Sequence, residues 1–215
     1  MLIETIKFIL LGTAVTLGVT AIAMPAGFVI GLLLAALRVY GGKFFARSIT
    51  LYSTFMRGIP PIVLLFILYF IMAQNINLSP FWAGSIALGL ISSSYQLEIF
   101  RGAFLSVAAG QMIAARSIGM SQIKAIRFII LPQALRKAIP PWSNEAASLV
   151  KDSSLVFLIG VPEILRRAQF VSARTFQPFV AYSIAAAIYF LLVFTLNRVL
   201  DRIENNTRIP SNVTK

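Results

Sequence analysis

From Phe8 to Leu37 the chain carries no charged side chain. A helix rises about 1.5 Å per residue, so this run can cross roughly 30 Å of hydrocarbon with slack for tilt or a kink. Pro25, inside the run, is the expected kink. The run is too long for a signal-peptide core and lacks a basic start, which marks it as a retained span. Everything else in the chain has to be compatible with a helix in lipid.

The same reading extends along the sequence. Ile49 to Met72 is a second apolar stretch, interrupted by Arg57, and 74–80 is a short polar turn. Phe81 to Phe104 is a third, with Glu98 and Arg101 near its end. Ala138 to Val161 is a fourth, weakened by Asn144, Glu145, Lys151 and Asp152. A loop is expected over Pro162 to Gln177, then a fifth span over Pro178 to Asn197 and a polar tail over 198–215. These stretches predict an all-α integral membrane protein, one domain over 1–215, with about five transmembrane helices. Gly12, Gly18, Gly27 and Gly31 permit close approach of the first span to another helix. Trp82 and Trp142 are expected as interfacial anchors.

Composition narrows the function classes. Hydrophobic residues make up 58% and charged residues only 12%, against about 25% charged in soluble domains. Cysteine and histidine are absent and only seven acids are present. That removes disulfides, thiolate metal sites and the usual general base. The net charge is +12, but the basic residues flank apolar runs, a pattern of membrane orientation and not of nucleic-acid binding.

Five spans put the two ends on opposite faces. Arg38, Lys43, Arg47, Arg101, Arg116, Lys124, Arg127, Arg136, Lys137, Arg198, Arg202, Arg208 and Lys215 fall on one face. Lys7, Arg166, Arg167 and Arg174 fall on the other. The richer face is expected in the cytoplasm, with the amino terminus outside and the carboxyl terminus inside. No internal repeat is evident, so a pathway is expected between two such units.

Between the third and fourth spans lies a polar, basic island over 106–137. Gly110 to Gly119 reads as a short helix closed at glycine. Ser121 can cap a second helix, Gln122 to Leu131, and Pro132 discourages its continuation. Ile123, Ile126 and Ile130 share one side of it. Such a pair serves either as an amphipathic element held by lipid headgroups or as a knob that docks in a partner's groove.

The island resembles the cytoplasmic loop motif of ATP-binding-cassette importer permeases: Glu-Ala-Ala, three residues, Gly, nine residues, Ile-x-Leu-Pro. Here Ala114-Ala115, Gly119 and Ile129-Ile130-Leu131-Pro132 keep that spacing, with Ile113 where the motif has glutamate. Arg57-Gly58-Ile59-Pro60, Tyr95 to Gly102, Gly110-Gln111, Pro132 to Arg136, Ile139-Pro140-Pro141 and Leu149 to Leu155 narrow the resemblance to polar amino-acid permeases. The resemblance implies a type I importer fold. It also implies two ATPase subunits, a second permease copy (identical or sibling) and an extracytoplasmic amino-acid-binding protein as partners, all in or on the cytoplasmic membrane. Ala114, Ala115, Arg116, Gly119, Met120 and Ser121 would then couple to the ATPases. ATP and Mg would sit on those partners, since this chain has no glycine-rich phosphate loop, and no cofactor is expected on it.

Arg57, Glu98, Lys151 and Asp152 fall inside predicted spans, where each costs about 2.5–3.5 kcal/mol unless paired or wet. They either pair to hold helices together or bind a zwitterion. An amino acid needs an acceptor for its ammonium and a donor for its carboxylate. Asp152, flanked by Lys151, Ser153 and Ser154 and expected near mid-membrane, is the candidate for the first. Arg57 is the candidate for the second, with Glu98 and Tyr95 as further candidate contacts. Pro140 and Pro141 are expected to free backbone carbonyls nearby. A self-gated channel and a non-transporting membrane scaffold are the rival readings.

Overall fold

The computed structural model of the chain describes residues 2–207, without the side chains of 73, 74 and 76; Arg208 and Lys215 of the orientation count lie outside the described residues. Every regular element among the described residues is helical. In chain order these are α1 (Leu2–Leu10), α2 (Gly12–Tyr40), α3 (Lys43–Gly58), α4 (Pro61–Ile76), α5 (Pro80–Leu105), α6 (Ala109–Ser117), α7 (Gln122–Ala125), α8 (Leu131–Asp152), α9 (Ile164–Thr175) and α10 (Pro178–Thr207). A π turn over Ile126–Ile130 joins α7 to α8, and a 3₁₀ turn over Ser153–Ile159 extends α8.

The centre is the α2–α5 pair. A Cβ on Gly27 would stand 2.6 Å from Gln96 Nε2, and one on Gly31 would stand 2.9 Å from the Leu97 nitrogen. Small residues let the two backbones touch, as the glycine spacing predicts. α4 packs on the N-terminal half of α5 through Leu64, Leu65 and Met72 against Ala83, Ala87 and Leu88. α8 packs antiparallel to α5, with Ala134 and Ala138 beside Phe100 and Phe104. A third cluster joins Ile9 of α1, Ile164 and Ala168 of α9, and Ala181, Ala185 and Ile188 of α10.

Helix α2 continues through Pro25, and Leu11 separates α1 from α2. Three expectations are corrected. The second span is two helices, α3 and α4, bent by 108°. Pro60 and Pro61 cause this, because each disfavours helical backbone in the residue before it. Ile59 sits at φ −106, ψ 137 and Pro60 at φ −54, ψ 135, both extended. Pro132 does not stop its helix: the π turn before it widens the backbone, and the Leu131 N–H bonds the Ile126 carbonyl. The wider turn relieves the clash and missing donor that a proline brings. Finally, 162–177 is mostly helix α9, started by a side-chain cap from Glu163.

Among the described residues, two helical stretches are each long and apolar enough to cross a membrane, Leu2–Tyr40 and Pro178–Asn206. Counting each bent pair, α3 with α4 and α5 with α6, as one span raises this to four. α8 does not reach that apolarity, because it carries Asn144, Glu145, Lys151 and Asp152. The tail expected from 198 is helical as far as Thr207.

Candidate functional site

The island is built as a helix, a sharp turn and a second helix. α6 buries Ala115 and leaves Ala114, Arg116 and Ser117 exposed. It ends in paired bonds typical of a glycine terminator: the Met120 N–H reaches the Ala115 carbonyl and the Gly119 N–H the Arg116 carbonyl, each at 3.1 Å. Gly119 holds φ +85, the left-handed region that glycine enters without penalty. Arg116 Nη1 also donates to the Met120 carbonyl. Ser121 caps α7 by accepting from the Lys124 N–H, as its position predicts. Ile123, Ile126 and Ile130 do not share one inward side. Ile130 is buried and Ile123 is 77% exposed, because the π turn shifts the helical phase between them. Ile113 is exposed as well.

The in-membrane charges sort into two groups. Glu98 of α5 accepts from Ser53 Oγ at 2.6 Å, Arg101 Nε at 2.8 Å, Arg57 Nη2 at 3.3 Å, and from Arg38 Nη1. Three arginines from α2, α3 and α5 therefore close on one carboxylate. Arg57 is further fixed by Nε donating to Ser53 Oγ at 3.2 Å. Arg57 and Glu98, two of the predicted site residues, come together here. Arg38 and Ser53 were not singled out by the sequence reading, because their pairing joins residues 60 and 45 positions from Glu98.

The second group lies on α8. Lys151, Asp152 and Asn144 are exposed and Glu145 and Ser148 are half-buried. Spacings of three, four and seven residues put them on one stripe, with Asn144, Lys151 and Asp152 on its exposed edge and Glu145 and Ser148 on its half-buried edge. Trp142 Nε1 donates to Gln96 Oε1 at 2.9 Å and Ser92 Oγ to Glu145 Oε1 at 2.6 Å, which fixes the register of α8 on α5. Asp152 lies seven residues beyond Glu145 toward the N-terminal end of α5, and Glu98 lies six residues beyond Ser92 toward its C-terminal end. At helical rise the two are about 20 Å apart along the axis. The structure therefore does not bring Asp152 together with Arg57, which is bonded to Glu98. Ser153 is buried, and its hydroxyl is spent on the Val150 carbonyl at 2.7 Å. Ser154 is half-buried, and Tyr95 packs on the core between α4 and α5. Pro140 and Pro141 lie inside α8 without breaking it, but their missing donors leave the carbonyls of Arg136 and Lys137 without the usual helical partners.

Sequence reasoning missed Glu163, which is fully buried. Its carboxylate accepts from the Leu165 and Arg166 N–H groups and from the Tyr189 hydroxyl at 2.6 Å. Burial pushes its carboxyl up, against the pull of the tyrosine and the two amides. Read as a loop acid before Ile164, it gave one signal only, an acid at a helix start. Tyr189→Phe is expected to destabilise the α9–α10 joint by about 1.5–3 kcal/mol, because it removes one of the two hydrogen bonds on Glu163 Oε2 and leaves that oxygen with the Leu165 N–H alone. Thermal unfolding of the purified protein checks this; an unchanged transition would show that the bond carries no weight.

Residues 27–209 match the family described as the binding-protein-dependent transport system inner membrane component. The chain is 39% identical to the probable amino-acid ABC transporter permease protein YckA of Bacillus subtilis, over 88% of this chain and 84% of that one. It is 32% identical to the glutamine transport system permease protein GlnP of Escherichia coli, over 95% and 94%. A crystal structure of an amino acid ABC transporter with histidines matches at TM-score 0.85 and 33% identity, covering 95% of this chain and 96% of that one. An inward-facing MetNI methionine ABC transporter has the same fold at TM-score 0.84 and 20% identity, covering 94% and 97%.

Proposed function

The chain belongs to the family of binding-protein-dependent transport system inner membrane components, and from that premise we propose that it is the permease through which a polar or charged amino acid enters the cell. Its relatives are named as amino-acid and glutamine permeases, which supports an amino acid as cargo. The observation that carries the reading is the exposed polar row of Asn144, Lys151 and Asp152 on α8, bordered by half-buried Glu145 and Ser148. A polar stripe of this kind cannot face lipid cheaply. It faces water or a second permease, as the wall of a pathway between two copies.

In this reading the amino terminus is outside, and the island at 106–137 and the carboxyl terminus face the cytoplasm. Two partner ATPases hold and hydrolyse MgATP and grip the island; this chain binds no nucleotide. ATP binding draws the two islands together, the spans rotate, and the cavity turns outward to receive cargo from the binding protein. Hydrolysis resets it inward. Asp152, with Ser154 and Lys151 beside it, meets the cargo in the outer half, and the carboxylate holds its ammonium. Arg57 lies too deep to hold the carboxylate of the same bound molecule. A self-gated channel has no use for the exposed Gly119 turn, and a scaffold has none for the α8 stripe.

Co-reconstitution with its ATPases and binding protein, followed by uptake of a panel of labelled amino acids, tests the proposal. ATP-independent flux would favour the channel. Asp152→Asn is expected to lower uptake at least about tenfold, as loss of a charge-assisted contact of about 1.5–3 kcal/mol requires. Normal uptake by a variant that still assembles with the ATPases removes the role given to Asp152.

A further inference from the structure

Uptake through the α8 stripe makes no use of the cluster at Glu98. Three guanidiniums meet one carboxylate there, so two positive charges within the cluster lack a partner. Each guanidinium carries five N–H donors, and the bonds to Glu98 and Ser53 use one or two of each. None of these arginine nitrogens is among the buried atoms without a partner. The side chains of Arg57 and Arg101 are 39% and 34% exposed, and a Cβ on neighbouring Gly102 would meet nothing within 4 Å. The unused donors therefore open onto free space.

The cluster sits on the cytoplasmic side of the α8 stripe, seven residues before the end of α5. α3 leads to it from that end with a second outward row, Lys43, Arg47, Thr50, Thr54 and Arg57, at helical spacing and exposed. Guanidinium forks hold planar oxyanions in paired hydrogen bonds. Ser53 and Glu98 fix where those forks stand.

We propose that Arg38, Arg57 and Arg101 form a carboxylate-binding station on the inward half of the path, with Glu98 as its resident, displaceable occupant. The proposal rests on the transport reading for its ligand: an amino acid released from the α8 stripe offers its carboxylate to Arg57 and Arg101 in exchange for Glu98. No covalent step is involved. Glu98 offsets one of the three positive charges between cargoes, and its competition keeps the cargo from being held too tightly to leave.

The test uses the permease–ATPase complex in phosphatidylcholine nanodiscs, with acetate as the probe and chloride at equal ionic strength as control. Glu98→Ala is expected to melt lower than wild type and to regain at least half of that loss in acetate but not in chloride. The double variant with Arg101→Gln is expected not to recover. If Glu98→Ala fails to assemble, assembly in acetate becomes the readout, and Glu98→Gln repeats the melting series. Equal response to the two anions overturns the site. Recovery in phosphatidylglycerol nanodiscs without acetate means that a lipid phosphate fills it and overturns the carboxylate assignment. For passage, Arg101→Gln in complexes that still co-purify is expected to lower amino-acid uptake at least tenfold, restored in part by Arg101→Lys; uptake within twofold of wild type overturns the station. Absent uptake in the wild type would instead sink the transport reading, while the acetate response still reports on the site.

Discussion

Gly12→Val is expected to be among the most destabilising single substitutions in this chain. A Cβ at that position would stand 2.6 Å from the Ile164 nitrogen, 2.7 Å from the Glu163 carbonyl carbon and 2.7 Å from the Ile164 Cα. All three are backbone atoms, so no rotamer change relieves the overlap. Overpacking typically costs about 1–3 kcal/mol, and occasionally more, when a packed site has to give. Here the yielding part would be the start of α9, whose cap is the buried Glu163. The variant should lose the contacts of α9 with α2 and melt well below wild type. Gly102→Ala, where the added Cβ meets nothing within 4 Å, is the control. It should sit near wild type, and a Gly12→Val variant that melts beside it would refute the close contact.

Gly119→Asp should leave the membrane fold intact and sever ATP turnover from uptake. A Cβ at Gly119 meets nothing within 4 Å, so the effect is not a clash. It comes from the backbone: at φ +85 a residue with a Cβ costs about 1–2 kcal/mol more than glycine. The turn can avoid that cost by giving up the bonds from the Gly119 and Met120 N–H groups that close α6. The exposed surface of Ala114, Arg116 and Ile118 would then lose its fixed shape. Aspartate also brings a negative charge to a basic island. The measurement is ATPase activity per molecule transported in reconstituted vesicles, expected to rise at least about tenfold, since a loss of roughly 1.4 kcal/mol in engagement already changes occupancy by that factor. Unchanged coupling would mean that the island is not the handle the ATPases use.

The local parts of this structure were readable in the sequence. Ser121 capping α7 and Gly119 closing α6 depend on neighbours within a few residues, and both stand as the residue types require. Long apolar runs announced α2 and α10, and the glycine spacing announced a close contact of α2 with another helix, though not that the partner is α5. What escaped were joints whose geometry follows from several signals at once. Pro60-Pro61 was visible, but an apolar run on each side hid a 108° bend. The π turn before Pro132 depends on a backbone compensation that no residue type encodes. Glu98 read as one intramembrane acid beside Arg101; its ties to Arg38 and Ser53 join helices far apart in sequence. The separation of Asp152 from Arg57 escaped for the same reason, since the pairing of Glu145 with Ser92 that sets it joins residues far apart in sequence.

The break at Pro60-Pro61 also constrains which way this protein can be turned about the membrane normal. In a continuous helix the Met56 and Arg57 carbonyls would accept from the residues four positions later, but those are the two prolines, which have no N–H to give. The Tyr52 hydroxyl bonds the Leu90 carbonyl at 3.1 Å, which sets this stretch alongside the middle of α5. Acyl chains offer such oxygens nothing. The elbow must therefore point toward another polypeptide or a hydrated gap, and the annular lipid is left to the far flank.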